Sequence, residues 1–81
     1  MIKNEIYERL NKVFQDVFDD ESIVVNENTT SADIEEWDSL EHINLVVAVE
    51  SEFVMKFTLG ETTSMKNVGE MVTIIANRAT K

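Results

Sequence analysis

Apolar residues recur at helical spacing in three stretches of this chain and lose that period between them. Ile2, Ile6, Leu10, Val13, Phe14 and Val17 fall at i, i+4, i+8 and i+11 type spacings, which predicts a helix over residues 2–18 with one apolar face. Lys3, Glu5, Glu8, Arg9, Lys12 and Asp16 mostly fall elsewhere. Residues 19–37 hold no sustained period and are rich in Asp, Asn, Ser and Thr, which bond to nearby backbone and favour turns. So long a loop in a compact domain needs anchors, and Ile23, Val24 or Val25, Ile34 and Trp37 are the candidates.

A second helix is expected to start at Asp38-Ser39 and run to about Val54 or Met55. Asp38 is placed to cap it, with Glu41 at the capping-box position. Leu45, Val49 and Phe53 form its buried stripe, flanked by Ile43 and Val46. Leu40, Asn44, Val47 and Ser51 share a neighbouring face, bordered by Glu41 and Glu50. A weak turn or one-turn helix is expected near Leu59–Thr63, where Gly60 and two threonines stand. The last helix starts near Asn67, with Glu70 at its capping-box position and Val68, Met71, Val72, Ile75 and Ala76 on one face. The fold class is all-α: a small four-helix bundle of three main helices plus one short helix, with a long loop between the first two.

Composition narrows the function more than the fold. With 81 residues, one domain over 1–81 is expected. There is no cysteine, which excludes disulfides, thiolate catalysis and cysteine zinc sites. A single histidine excludes a histidine-rich metal site and leaves no nucleophile–base set for a hydrolase. No apolar run approaches the roughly 20 residues that span a bilayer. The first residues are charged and then amphipathic, without a secretory apolar stretch, so a soluble cytoplasmic protein is expected.

The net charge is -9, and its distribution is uneven. No Lys or Arg stands between Lys12 and Lys56, while that stretch holds Asp16, Asp19, Asp20, Glu21, Glu27, Asp33, Glu35, Glu36, Asp38, Glu41, Glu50 and Glu52. Such a field repels nucleic acid and anionic membranes and attracts basic protein surfaces. Acidity that only keeps a small protein soluble is the competing reading. The acids at 16–27 lack the central glycine of an EF-hand loop, and no metal site is assigned.

The segment Glu36-Trp37-Asp38-Ser39-Leu40-Glu41-His42 carries the candidate chemistry. Ser39 falls in the first turn of the second helix, where backbone N–H groups lack partners and negative charge is favoured. By position alone it is an ordinary capping-region serine. Asp38-Ser39-Leu40 halfway along the chain, followed by Ile43, Leu45, Glu50 and Phe53, resembles the acyl and peptidyl carrier protein family, and the resemblance extends over essentially the whole chain.

The resemblance implies that Ser39 carries 4′-phosphopantetheine, attached by a phosphopantetheinyl transferase. It implies a carrier and not an enzyme, holding acyl groups, or aminoacyl or peptidyl groups, as thioesters. It implies a docking face of Asp38, Leu40, Glu41, Asn44, Val47 and Glu50 for acyl-activating, condensing or acyl-transfer enzymes with basic patches. Many fatty-acid carriers have an acid where Asn44 stands, and Trp37 with His42 looks more like carriers of dedicated pathways. A cavity for the attached chain would be lined by residues such as Ile43, Val47 and Ile75. His42 is expected to be a solvated helix residue, within reach of a phosphate on Ser39. The protein is expected to be a monomer. The rival reading is an acidic helical module that binds a basic partner without any covalent group.

Overall fold

The computed structural model describes residues 2–79; residues 1, 80 and 81 of the expected 1–81 domain lie outside the described residues. Four helices follow one another: α1 (Lys3–Val17), α2 (Ser39–Phe53), α3 (Leu59–Ser64) and α4 (Val68–Arg78). A single 3-10 turn, Ser31–Asp33, interrupts the long connection between α1 and α2. The described residues include no strand, and no described helix is long and apolar enough to cross a membrane.

The three apolar stripes meet as their spacing requires, except that Ile2, expected on the buried face, stands at the N-cap before the first turn of α1 and is exposed. Ile6, Leu10 and Phe14 of α1, Leu45, Val49 and Phe53 of α2, and Val68, Met71, Val72 and Ile75 of α4 form one core. Removing a fully buried ring such as Phe53 costs about 3–5 kcal/mol in comparable cores. Arg9 of α1 lies over that ring, its guanidinium carbon 4.6 Å from the centroid, and pairs with Glu52.

The loop over residues 18–38 is tied down through the polar side of α1. Asn11 Oδ1 accepts from the Val25 N–H at 2.7 Å, and Gln15 Nε2 donates to the Ile23 carbonyl at 2.9 Å. These bonds turn Ile23 and Val25 into the core and leave Val24 exposed. Ile34 is buried, and Trp37 packs edge-on against Phe14 and obliquely against Phe18. At its middle the loop caps α4, since the N–H groups of Val68 and Gly69 donate to the carbonyls of Thr29 and Glu27.

Two capping boxes form, at Thr30 with Asp33 and at Thr58 with Glu61. The two expected at Asp38 and Asn67 form only their forward halves, to the N–H groups of Glu41 and Glu70. At α2 the reason is local: the Asp38 N–H already donates to Glu36 in the preceding turn, and Glu41 turns instead to Asn44. Helix α2 ends on Val54 in the left-handed region, φ 50°, an unfavourable place for a β-branched residue.

Candidate functional site

The loop ends and α2 begins at Ser39, and both sides of that junction are fixed. Trp37 holds the loop against Phe14 and Phe18, and Asp38 caps the helix, its Oδ1 2.8 Å from the Glu41 nitrogen. Ser39 is the first residue of α2 and is exposed. Its hydroxyl has no hydrogen-bond partner among the described residues, and neither has the N–H of Ser39 or of Leu40. A reachable hydroxyl therefore sits beside free backbone donors at the positive end of a helix.

Beside Ser39 opens a cleft of about 840 Å³ between α2, α3 and the start of α4. Ile43, Val46 and Val47 of α2 form one wall, and Leu59, Thr62 and Thr63 of α3 face them. Met65, Met71, Trp37 and His42 also line it. Lys66 is the one Lys or Arg among its lining residues. The expected lining is corrected at one position. Ile43 and Val47 do line the cleft, but Ile75 is fully buried in the core. Met71, one turn earlier on α4, reaches the space instead.

The residues proposed for docking separate into two groups. Leu40, Ile43 and Val47 are exposed by 67, 61 and 59%, a run of apolar side chains along one side of α2. Asp38 and Asn44 are exposed with them, and Glu41 borders them half-buried, accepting from Asn44 Nδ2 at 2.9 Å. Ile43 belongs to this face and not beside the buried stripe, because the step from Ile43 to Leu45 carries it around the helix. Glu50 stands apart. Its side chain is only 15% exposed, and Oε2 accepts from the Phe57 N–H at 2.8 Å. Its charge caps the chain leaving α2, with Lys56 3.9 Å from Oε1.

His42 is not the solvated residue that the sequence suggests. Its Nδ1 lies 3.0 Å from Trp37 Nε1, and its Nε2 lies 2.8 Å from the Thr62 carbonyl oxygen of α3. The two rings stack at 6.0 Å. Helix α3 has a second polar tie at Glu61, which accepts from Arg78 at the end of α4 and from the Thr58 N–H. These bonds, the one from Arg78 first, hold the Glu61 carboxyl below its ordinary range. Sequence spacing could not bring out either tie, since Thr62 contributes only a backbone carbonyl and Arg78 lies on another helix.

No family profile and no curated protein matches the chain. Among solved structures, the chain is similar to the solution NMR structure of a holo acyl carrier protein from Geobacter metallireducens. Identity is 42%, the match covers 89% of this chain and 83% of that one, and the TM-score is 0.84.

Proposed function

This chain belongs to the acyl carrier protein family, and from that premise we propose that its 81 residues form one carrier domain with Ser39 as the attachment site for 4′-phosphopantetheine. The observation that carries the reading is the exposed Ser39 hydroxyl, free of any partner among the described residues, at the capped start of α2 and at the mouth of a cleft. The residues fit the group. A phosphodiester on Ser39 Oγ would meet the free N–H groups at the helix start and the favourable end of its dipole. Asp38 opposes it in charge, but its carboxylate is spent on the cap and is exposed to water. The chemistry that the arm supplies is a terminal thiol that holds an acyl group as a thioester.

Attachment is work for a partner enzyme. The Ser39 oxygen attacks the β-phosphorus of coenzyme A, an Oγ–P bond forms, 3′,5′-ADP leaves, and the hydroxyl proton passes to a base of the phosphopantetheinyl transferase. The apolar run Leu40, Ile43 and Val47, with Glu41 and Asn44 beside it, is the surface a partner would meet first when it holds the arm. The partners are biosynthetic enzymes that load, extend or transfer the acyl group through basic patches. The field of the uncompensated acids steers them.

The test is intact-protein mass spectrometry after incubation with coenzyme A and a broad-specificity transferase. One phosphopantetheine unit should be gained, and Ser39→Ala should stay folded and gain none. A wild type that stays unmodified with several competent transferases would point instead to an acidic interaction module without a covalent group.

A further inference from the structure

Helix α3 forms one wall of the cleft beside Ser39, yet none of its residues is buried. A helix of six residues is not stable by itself in water. Its flanks pack through Phe57 and Met65. The helix itself is held by its capping box and by two ties from other helices: Arg78 of α4 on Glu61, and His42 of α2 on the Thr62 carbonyl.

The partners of His42 settle its protonation. The Trp37 indole nitrogen only donates, so Nδ1 must be the bare, accepting nitrogen. The Thr62 carbonyl only accepts, so the ring proton must sit on Nε2. One neutral tautomer therefore satisfies both bonds at once, and it links the loop before Ser39, the first turn of α2 and the wall opposite. We infer that His42 is a positioning residue: as the neutral Nε2–H tautomer it clasps α3 to Trp37 and so holds the shape of the cleft beside Ser39. The clasp is a property of the unmodified chain; only what the cleft shelters rests on the carrier reading.

The two halves of the clasp respond differently to acid. Protonation places a second N–H opposite the indole N–H and breaks the Trp37 half, while Nε2 still donates to Thr62. Of the charged groups around the ring, Asp38 and Lys66 line the same cleft. Glu41 is next in sequence and bonded to Asn44, and on α3 Glu61 is engaged by Arg78 and Thr58. Trp37, stacked on the ring, carries no charge.

The experiment uses the unmodified full chain with ¹⁵N labelling. Long-range proton–nitrogen correlation should place the ring proton on Nε2, and the Trp37 indole resonance should move together with the His42 ring protons on acid titration. In His42→Phe, which keeps the stacking but neither bond, amide exchange in α3 should quicken about three- to tenfold, the worth of one hydrogen bond. Exchange in α1 and α4 should not change. In His42→Gln the amide nitrogen can replace Nε2, so α3 should stay near wild type while the indole N–H is released. A proton on Nδ1, unchanged α3 exchange in His42→Phe, or equal loosening in both variants would overturn the clasp. With an octanoyl group on the Ser39 arm, His42→Phe should hydrolyse its thioester several-fold faster, and an unchanged rate would overturn the link to the cleft. Failure of Ser39 to be modified, with the exchange results as expected, counts against the carrier reading and leaves the clasp standing.

Discussion

The nitrogen of Gly69 lies 3.0 Å from the carbonyl oxygen of Glu27, so the long loop and the start of α4 meet backbone to backbone. A β-carbon built on Gly69 would stand 2.8 Å from that same oxygen, closer than real contacts allow. The glycine is explained by this approach and not by any helical preference, since glycine disfavours helix.

Gly69→Ala should therefore destabilise the fold by about 1–3 kcal/mol, the usual cost of forcing an extra methyl into a packed site. At an ordinary first-turn position the same change would be neutral or stabilising. Urea denaturation of the two proteins decides between these, and an equal or higher midpoint for the alanine variant would mean that the loop yields freely.

Glu41 and Glu50 should behave differently although both are acids of α2. Glu41→Lys should slow association with the transferase and flatten its salt dependence, because it changes the charge met on approach. Glu50→Gln should act on stability instead. It weakens a largely buried acceptor for the Phe57 N–H and should cost about 1–2 kcal/mol, the range of a hydrogen bond to a charged group. Stopped-flow binding across a salt series, beside thermal melts, separates the two effects. Equal loss of association rate in both variants would return Glu50 to the docking surface.

The Arg78–Glu61 pair predicts an acid-dependent contribution of known sign. Glu61 is held below the ordinary carboxylate range, first by Arg78 and then by the Thr58 N–H. A group with a depressed folded value stabilises above its unfolded value, and the contribution fades as pH falls through the folded one. The stability difference between wild type and Arg78→Met should thus be constant above about pH 5.5 and shrink on acidification below the usual glutamate value of about 4.3. Denaturation midpoints over an acid series test this. A difference that grows as pH falls would contradict it.

Added salt should raise the melting temperature. The net charge is -9, and of the twelve acids between Lys12 and Lys56 only Glu50 and Glu52 form ion pairs among the described residues, with Lys56 and Arg9. Screening should relieve more repulsion than it costs in those pairs. Calorimetry between low and moderate sodium chloride checks this, and a steady fall would show that the ion pairs dominate.

Much of this architecture is written in short-range chemistry. The stripes through Leu10, Phe14, Leu45, Val49, Phe53, Val72 and Ile75 are legible because a helix repeats every 3.6 residues and burial follows that repeat. The start of α2 is legible because a capping aspartate acts on the N–H three residues on. Loop anchors were legible in kind but not in choice. Val24 and Val25 are equivalent in pattern, and only the bond from the Val25 N–H to Asn11 turns the second inward.

The helices, most of their buried faces, the acidic field and the position of Ser39 at a helix start can be read along the chain, since all four depend on residues close together in it. Tertiary structure alone decided the rest. It turned Glu50 from the expected docking face to the Phe57 N–H, put Met71 in place of Ile75 on the cleft, and made Gly69 a point of close approach. It also set His42 between Trp37 and the Thr62 carbonyl. In each case the deciding partner is a backbone group or a side chain on another element, and the pattern of side chains along one segment carries no record of such a partner.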